Sequence, residues 1–458
     1  MKQFIYIWLG IILLSVVSCY DDKGNYDYHD INEITFGDVN TTYNVLLNID
    51  TLKIDALVEM STGDKTDASR FQYAWIISPI NTSNQKDTIS TERVLNYFIS
   101  LAPNTYDLYL KIWDKKTEKF PIKEGKFLEE NNIKSILFLR YDGKIGDMVV
   151  NTLMFREIKK NYPEIKIGVV ARGGASQILK NNTYVDNIYN YIKKKNEIKK
   201  LAEKIAEEKY DLLIDFSEML RVNQMMFINK CQAKFNMGLN RENWEMFDIS
   251  YDMPKENFHI SELYKKVLNI LGIENVSIDY DLHFSAEEKE IVEKKLEKYK
   301  NKKIYVLNPF AASKHRDINK ENIKKIADVI LKKENRIVFI IGEKGRKNDI
   351  LEIVKNYKEN VVYPELNSIM ETAYLIKKSD FVVSPDTSIV HIAAAFKKPM
   401  AAIYRWDSSE ENQVNKDLWS PNYKEAVQVF SKDFDVKKGE EPDINKFDIN
   451  ELDKIINN

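Results

Sequence analysis

The feature that most limits the possible folds is a change of periodicity near residue 133. Beyond it, short runs of Val, Ile and Leu alternate with longer segments whose apolar residues recur at helical spacing. Strands that alternate with helices form parallel sheets, because each helix crosses over the sheet to reach the start of the next strand. The predicted strands are residues 133–139, 165–170, 212–215, 303–307, 336–341 and 381–384, and the predicted helices are 148–161, 201–209 and 286–300.

This alternation is interrupted once, near residue 284, so we predict two Rossmann-like parallel-sheet domains at residues 133–284 and 285–458. Parallel sheets bind ligands at the carboxyl ends of their strands. We therefore expect a cleft between the two domains, with its chemistry in the loops that follow the strands.

Residues 20–118 have a different pattern, with strand-like segments separated by polar turns. Leu108, Leu110 and Ile112, for example, alternate with polar or amphipathic residues, as in a half-buried strand. About seven such strands predict a β-sandwich. The charged segment 119–132 shows no apolar periodicity and is predicted to be a linker.

The N-terminus has the pattern of a lipoprotein signal peptide at residues 1–19. Lys2 precedes the apolar run 4–17, which is shorter than a typical membrane span, and Val16-Val17-Ser18-Cys19 fits a bacterial lipobox. This pattern predicts lipidation of Cys19 and a lipid-anchored envelope protein; the alternative is an uncleaved anchor helix. After lipidation only Cys231 would be free, which excludes an internal disulfide.

The length of the chain indicates its number of domains, and its net charge limits the partners that it could bind. A chain of 458 residues predicts two or three domains. Its formal net charge of -2 gives no electrostatic basis for binding nucleic acid. The cysteine content gives no indication of a zinc site, and no metal is predicted.

The most informative motif lies at residues 381–404, where an apolar strand leads into Asp386-Thr387-Ser388 and then into a small-residue helix that carries His391. The free N–H groups at the start of a helix bind anions. Thr387 and Ser388 add hydroxyl donors, and His391 lies in the first turn. The sequence predicts an anion site here; the alternative is a capped helix whose histidine has a structural role.

A second motif is the loop that contains Gly143, Gly146 and Asp147 after the first predicted strand. The glycines allow a tight turn and a close approach of the backbone, but the sequence is not a P-loop. Asp147 could serve as a catalytic carboxylate or could cap the following helix.

These motifs resemble glycosyltransferase family 9, the lipopolysaccharide heptosyltransferases, over about residues 133–430. The family pattern Asp-Thr-Gly-x-x-His-x-x-Ala-Ala is matched from Asp386 through His391, with Ser388 in place of the usual glycine. The resemblance implies a GT-B fold and an inverting, metal-independent transfer of a sugar, plausibly heptose from ADP-heptose, to a lipopolysaccharide-core or other surface-glycan acceptor. It implies no cofactor beyond this nucleotide-sugar co-substrate.

The same resemblance assigns roles to residues. Asp147 would be the general base, in an acceptor-side loop with Gly143 and Gly146. The segment 308–319 matches the family's Asn-Pro-x-Ala-Ser segment, which implies that Ser313 and either Lys314 or Arg316 bind the donor diphosphate. Glu343, after another strand, would contact the ribose of the nucleoside.

The N-terminal region contains the stretch CYDDKGNYDYHDINEI at residues 19–34, Tyr73-Ala74-Trp75 and a turn at residues 101–106 that leads into a strand. With these features residues 1–118 resemble the PKD-like lipoproteins of Bacteroidetes, and the region carries no catalytic motif. Two other hypotheses remain open. One is an exported glycan-binding or structural lipoprotein with an inactive transferase-like half, and the other is a sugar-nucleotide epimerase of GT-B fold. Nucleotide sugars are made in the cytoplasm, where the transferase half alone would act at the inner membrane, whereas a lipobox directs export. A gene or assembly junction within residues 115–132 would explain this conflict.

Overall fold

The computed structural model divides into two compact units, Met1–Phe120 and Pro121–Asn458. Within them the structure describes residues 34–36, 51–55, 58–60, 71–79, 87–101, 106–114, 126–242, 244–253, 258–406, 416–433 and 442–458. The predicted signal peptide and Cys19 lie outside the described residues.

The first unit is built from antiparallel strands. Strand β1 pairs with β3, β2 pairs with β6, and β5, β4 and β7 form a three-stranded sheet. Tyr73, Trp75 and Leu95 are buried between these strands. The predicted all-β character is confirmed for the described part of this unit. The strands are β1 Ile34–Phe36, β2 Thr51–Asp55, β3 Val58–Met60, β4 Phe71–Pro79, β5 Asp87–Ser90, β6 Val94–Phe98 and β7 Tyr106–Asp114.

The second unit begins with a six-stranded parallel sheet in the strand order β10-β9-β8-β11-β12-β13. Its strands are β8 Ser135–Arg140, β9 Lys166–Ala171, β10 Asn187–Asn190, β11 Leu212–Asp215, β12 Phe235–Leu239 and β13 Ile249–Tyr251. Its helices are α1 Phe127–Glu130, α2 Ile145–Asn161, α3 Gly174–Leu179, α4 Lys195–Glu207, α5 Val222–Cys231 and α6 Ile260–Leu271.

A second six-stranded parallel sheet follows, in the order β16-β15-β14-β17-β18-β19. Its strands are β14 Lys303–Leu307, β15 Arg336–Ile340, β16 Val361–Val362, β17 Phe381–Pro385, β18 Met400–Tyr404 and β19 Ala426–Phe430. The helices are α7 Ala286–Leu296, α8 Lys320–Leu331, α9 Lys347–Val354, α10 Ile369–Lys378, α11 Ser388–Ala395 and α12 Ile449–Asn457.

Both sheets have the Rossmann strand order, in which the chain works outward from the first strand in one direction and then in the other. The order reverses between β8 and β11 in the first sheet and between β14 and β17 in the second. Ligands bind where the order reverses, since the loops on either side diverge there and leave a crevice. The loops that follow β8, β14 and β17 carry the motifs identified in the sequence.

The central strands are apolar on both sides because helices cover both faces of each sheet. In β8, Ile136 and Phe138 belong to one core, whereas Leu137 and Leu139 belong to another. The core that contains Phe138 also includes Val306 of the second sheet, so one apolar layer joins the two sheets. The predicted pair of Rossmann-like domains is confirmed.

The structure corrects the C-terminal boundary of the predicted linker at residues 119–132. Phe127–Glu130 form helix α1, in which Phe127 and Leu128 are 8% and 2% exposed. The Phe127 ring lies edge-on to Phe235 of β12, with 5.5 Å between ring centroids. A single helical turn is too short to produce a detectable apolar repeat. This part of the predicted linker therefore belongs to the core of the second unit.

Among the described residues, no helix combines the length and the apolar character that crossing a membrane requires.

Candidate active site

The loops after β14 and β17 are joined by a small network of hydrogen bonds. The amide Nδ2 of Asn308, the first residue after β14, donates to Ser384 Oγ at 3.0 Å and to Thr387 Oγ1 at 3.2 Å. Ser384 Oγ and Thr387 Oγ1 are themselves 3.1 Å apart. These contacts fix the start of α11 relative to the adjacent strand.

Thr387 is the N-cap of α11, and its hydroxyl oxygen accepts a hydrogen bond from the backbone N–H of Ile389 at 3.3 Å. Ser388 is then the first helical residue, and its side chain is partly exposed. The helix thus begins where the sequence predicted, with its dipole directed toward the loops.

Asp386 lies just before this N-cap, and its side chain is 26% exposed. Arg316 Nη1 approaches Asp386 Oδ2 at 3.7 Å, so the basic segment after β14 reaches the motif after β17. Burial raises the pKa of Asp386, while Arg316 and Arg405 act to lower it.

The other predicted donor residues lie on the same edge of the sheet. Ser313 precedes a 3-10 turn at Lys314–Arg316, and the side chain of Lys314 is exposed. Glu343, which is also exposed, precedes a second 3-10 turn at Lys344–Arg346. Arg346 Nη2 lies 2.5 Å from Asp317 Oδ2, so the two turns are joined.

His391 differs from the expectation of an open ligand-facing side chain, since it is 4% exposed. Its ring lies edge-on to Trp419, with 5.7 Å between ring centroids. Burial lowers the pKa of His391 to about 3, with a further contribution from the nearby His259. The imidazole is therefore neutral at pH 7, and its buried Nδ1 has no hydrogen-bond partner among the described residues.

The first sheet contributes Asp147, whose side chain is 14% exposed. Helix α2 begins at Ile145, and its N-cap is Lys144, which makes no side-chain capping bond. The hypothesis that Asp147 caps the helix is therefore wrong. Its Oδ2 instead accepts a hydrogen bond from Arg140 Nη2 at 2.5 Å. Burial raises the pKa of Asp147, and the charge of Arg140 partly opposes that rise.

Gly143, in the loop after β8, and Gly146, in the first turn of α2, are each needed for a different structural reason. Gly143 has φ +82, a left-handed conformation that glycine adopts without strain. Gly146 lies against α11: a Cβ added to it would be 2.8 Å from His391 Cδ2 and 3.4 Å from Ser388 Cα. The first turn of α2, which carries Asp147, thus touches the start of α11 in the candidate donor motif.

The sequence analysis did not assign a role to several buried polar residues at these edges. Asp215, at the end of β11, is fully buried and accepts hydrogen bonds from Tyr141 Oη at 2.9 Å and Ser217 Oγ at 3.0 Å. Burial raises its pKa to about 6. Asp215 could have been identified from the sequence, because an acidic residue at the end of an apolar strand is visible there.

His259 was also not identified, and it connects the two halves of this unit. As the N-cap of α6 it accepts a hydrogen bond at Nδ1 from the backbone N–H of Ser261 at 3.1 Å, and its Nε2 lies 3.1 Å from the carbonyl oxygen of Ser420. Since Nδ1 accepts, Nε2 carries the proton and donates to that carbonyl. No local pattern distinguishes such a histidine in the sequence.

Among the described residues, no cluster of three or more His, Cys, Asp or Glu side chains could hold a metal ion. The site consists of a carboxylate on one sheet and, on the other, a helix start with hydroxyl and cationic side chains. Two facing Rossmann-like halves with this arrangement define the class of GT-B glycosyltransferases.

Comparison with known proteins agrees with this class. Residues 198–443, more than half of the chain, match the model of glycosyltransferase family 9 (heptosyltransferase), and residues 19–127 match that of the PKD-like family. The chain therefore belongs to glycosyltransferase family 9 and is a glycosyltransferase, as predicted.

Two curated relatives come from Escherichia coli. A protein of strain K12 provisionally named lipopolysaccharide heptosyltransferase 4 is 29% identical over 67% of this chain and 84% of its own. A lipopolysaccharide heptosyltransferase 3 is 21% identical over 61% of this chain and 87% of its own.

Solved structures share the fold. A family 9 glycosyl transferase from Veillonella parvula DSM 2008 superposes with a TM-score of 0.60 at 14% identity, covering 70% of this chain and 97% of that one. The E. coli ADP-heptose lps heptosyltransferase II gives a TM-score of 0.56 at 16% identity, with coverage of 70% and 97%.

Proposed function

We propose that the protein transfers a heptose from ADP-heptose to a lipopolysaccharide-core or other surface-glycan acceptor, with inversion at the anomeric carbon and without a metal ion. The observation that carries the proposal is the contact of Gly146 with Ser388 and His391, because it brings the helical turn of the candidate base against the candidate donor site. The names of the E. coli relatives and the solved complexes of E. coli heptosyltransferase WaaC with ADP and with ADP-2-deoxy-2-fluoro heptose support the choice of donor.

In the proposed reaction, Asp147 accepts the proton of an acceptor hydroxyl while the oxygen of that hydroxyl bonds to the anomeric carbon. The bond from this carbon to the diphosphate breaks, and its electron pair leaves with ADP. A single displacement from the opposite side inverts the anomeric centre. Burial raises the pKa of Asp147 and so makes it a stronger base when it is ionised.

The leaving diphosphate gains negative charge, which positive groups on the second sheet would stabilise. The start of α11 would offer its backbone N–H groups and the Ser388 hydroxyl, and Arg316 is close enough to Asp386 to reach the same place. Lys314 is exposed on the same turn and would be a second cation. These groups would supply the charge that a divalent metal supplies in other transferases.

The remaining donor roles are assigned by position. Asp386 would accept hydrogen bonds from sugar or ribose hydroxyls, Thr387 would hold the helix start, and Ser313 would contact a phosphate. Glu343 would bind the ribose from the exposed turn after β15. His391 would act as a neutral hydrogen-bonding group, since burial holds its pKa near 3.

The test measures transfer from ADP-heptose to a lipopolysaccharide-core acceptor, together with calorimetric ADP affinity. Asp147→Asn should retain donor affinity and lose about a hundredfold or more in turnover. His391→Ala should weaken donor binding by roughly 0.5–1.5 kcal/mol, the value of a neutral hydrogen bond. Because Asp147 pairs with a buried arginine, Asp147→Asn should also lower the melting temperature, so rates are compared well below it.

A normal rate for the folded Asp147→Asn protein would remove Asp147 from the mechanism. If the native protein transferred no sugar from any nucleotide sugar, an exported binding lipoprotein with an inactive transferase-like half would become the better explanation. Lipidation of Cys19 is also proposed, and the intact mass of the protein from its native cells would show whether lipid and both units are present in one chain.

A further inference from the structure

Arg140 makes an unusual set of contacts for a buried arginine. It is the last residue of β8 and is 6% exposed, and its Nη2 lies 2.5 Å from Asp147 Oδ2 and 3.3 Å from Asp142 Oδ2. Its guanidinium carbon lies 5.9 Å from the centre of the Phe216 ring. Within the part of the chain that the structure describes, its buried Nε has no hydrogen-bond partner.

A purely structural role does not account well for this arrangement. Removing an arginine from water costs several kcal/mol, and the cost is best recovered when every donor is paired. Here one guanidinium nitrogen serves two carboxylates while Nε remains unpaired. The arginine is therefore held in place chiefly by its interaction with the carboxylates that flank the loop.

We propose that Arg140 is a positioning residue, which holds the carboxylate of Asp147 in one orientation and in its ionised form so that Asp147 can accept the proton of the acceptor hydroxyl. This inference rests on the proposed function of Asp147 as the base. Arg140 itself touches neither substrate in this scheme.

Two opposing effects act on the carboxyl group of Asp147. Burial favours the neutral acid, which cannot accept the proton, whereas a positive charge at hydrogen-bond distance favours the anion. An opposite charge within about 4–6 Å typically lowers the pKa of a carboxyl group by about 1–3 units. Without Arg140, burial would act with much less opposition.

Other titratable groups lie near Asp147 on each neighbouring element, and some of them are charged. Asp142, in the loop, raises its pKa, and Lys144, at the start of α2, lowers it. On α6, Tyr264 is buried, which raises its pKa, so the phenol is neutral. On α11, His391 is neutral for the reason given above. Arg140 and Asp142 are therefore the two groups whose removal should move the titration of Asp147 most clearly, and in opposite directions.

The experiment compares kcat/KM for sugar transfer across pH in four variants and the native protein. Arg140→Met should shift the acidic limb of the profile upward by about one pH unit or more. Arg140→Lys keeps the charge and should shift it less. Asp142→Asn removes a negative charge from a partly exposed side chain and should move the limb to lower pH.

Arg156→Met is the matched control. Arg156 is on the same helix as Asp147 and pairs with Glu157 and Asp281 at 2.9 and 2.7 Å, so its loss also removes an arginine ion pair. It should reduce stability without moving the acidic limb. If Arg140→Met does not fold, the opposite shift of Asp142→Asn still tests the balance, because that variant changes only a partly exposed group.

The proposal is overturned if the acidic limb stays in place in both Arg140→Met and Asp142→Asn, or if Arg156→Met shifts it as much as Arg140→Met does. A second measurement is independent of turnover: the pH titration of the Asp147 carboxyl carbon by NMR, with the signal assigned by its absence in Asp147→Asn. If the native protein transfers no sugar, the proposed function fails. If the midpoint of the Asp147 titration is the same in Arg140→Met as in the native protein, the role of Arg140 is refuted separately.

Discussion

The contact between Gly146 and His391 allows a quantitative test of how the two sheets are fitted together. In Gly146→Ala the new methyl carbon would lie 2.8 Å from His391 Cδ2, a distance shorter than a carbon–carbon contact permits. His391 cannot easily move aside, because it is buried and lies against Trp419. Overpacking of this kind typically costs about 1–3 kcal/mol.

We therefore expect Gly146→Ala to lower the free energy of unfolding of the second unit by about 1–3 kcal/mol, measured by chemical denaturation. The cost should shrink when His391→Ala is added, because the smaller side chain makes room for the methyl group. The interaction free energy from this double-mutant cycle isolates the contact. Gly345→Ala is the control, since the nearest atom to its added Cβ would be 3.9 Å away.

Two results would refute this reasoning. If Gly146→Ala were no less stable than Gly345→Ala, the close approach would not be rigid. If the cost of Gly146→Ala were unchanged in the His391→Ala background, the strain would come from within α2 and not from contact with α11.

Two further predictions follow from burial. Burial lowers the pKa of His259 from 6.5 to about 4, so at this position the unfolded chain binds a proton that the folded protein does not. His259 alone should therefore remove roughly 3 kcal/mol of stability from the second unit as pH falls from about 6.5 to 4, and His259→Gln should remove this contribution from the pH dependence of unfolding. A slope equal to that of the native protein would show that His259 does not titrate in this way. A truncated protein that begins at residue 126 should melt cooperatively, whereas Phe127→Ala within it should cost about 3–5 kcal/mol; an unchanged melting temperature would show that α1 is not part of the core.

The parallel-sheet architecture could be predicted from the sequence because central strands covered on both faces are continuous apolar runs. Strand β14 has the predicted bounds, and β11 likewise. Helix α2 begins earlier than predicted, at Ile145. Glycine has a low helix propensity, so the sequence around Gly146 gave no indication of the first helical turn. Helix α1 was missed because it has only one turn and its apolar residues are adjacent.

The site was predictable where a single segment determines it. The helix start after β17 follows from local residues, and the structure has it where the sequence indicated. The burial of His391 could not be predicted, since it depends on Gly146 and Trp419, which are distant in the chain. The same is true of the pairing of Arg140 with Asp147, because no sequence pattern shows that the last residue of β8 and a residue in the first turn of α2 are in contact.

The absence of a side chain at residue 146 also has a consequence for engineering. A chimera that joined the first Rossmann-like half of one transferase to the second half of another would work only if the two halves were interchangeable. Here the two halves pack closely where the His391 ring occupies the space that a side chain at residue 146 would need. Residues 146 and 391 should therefore be exchanged together, although they belong to different halves. A second half with a different side chain at position 391 would alter the spacing between the two halves and hence between the two substrates.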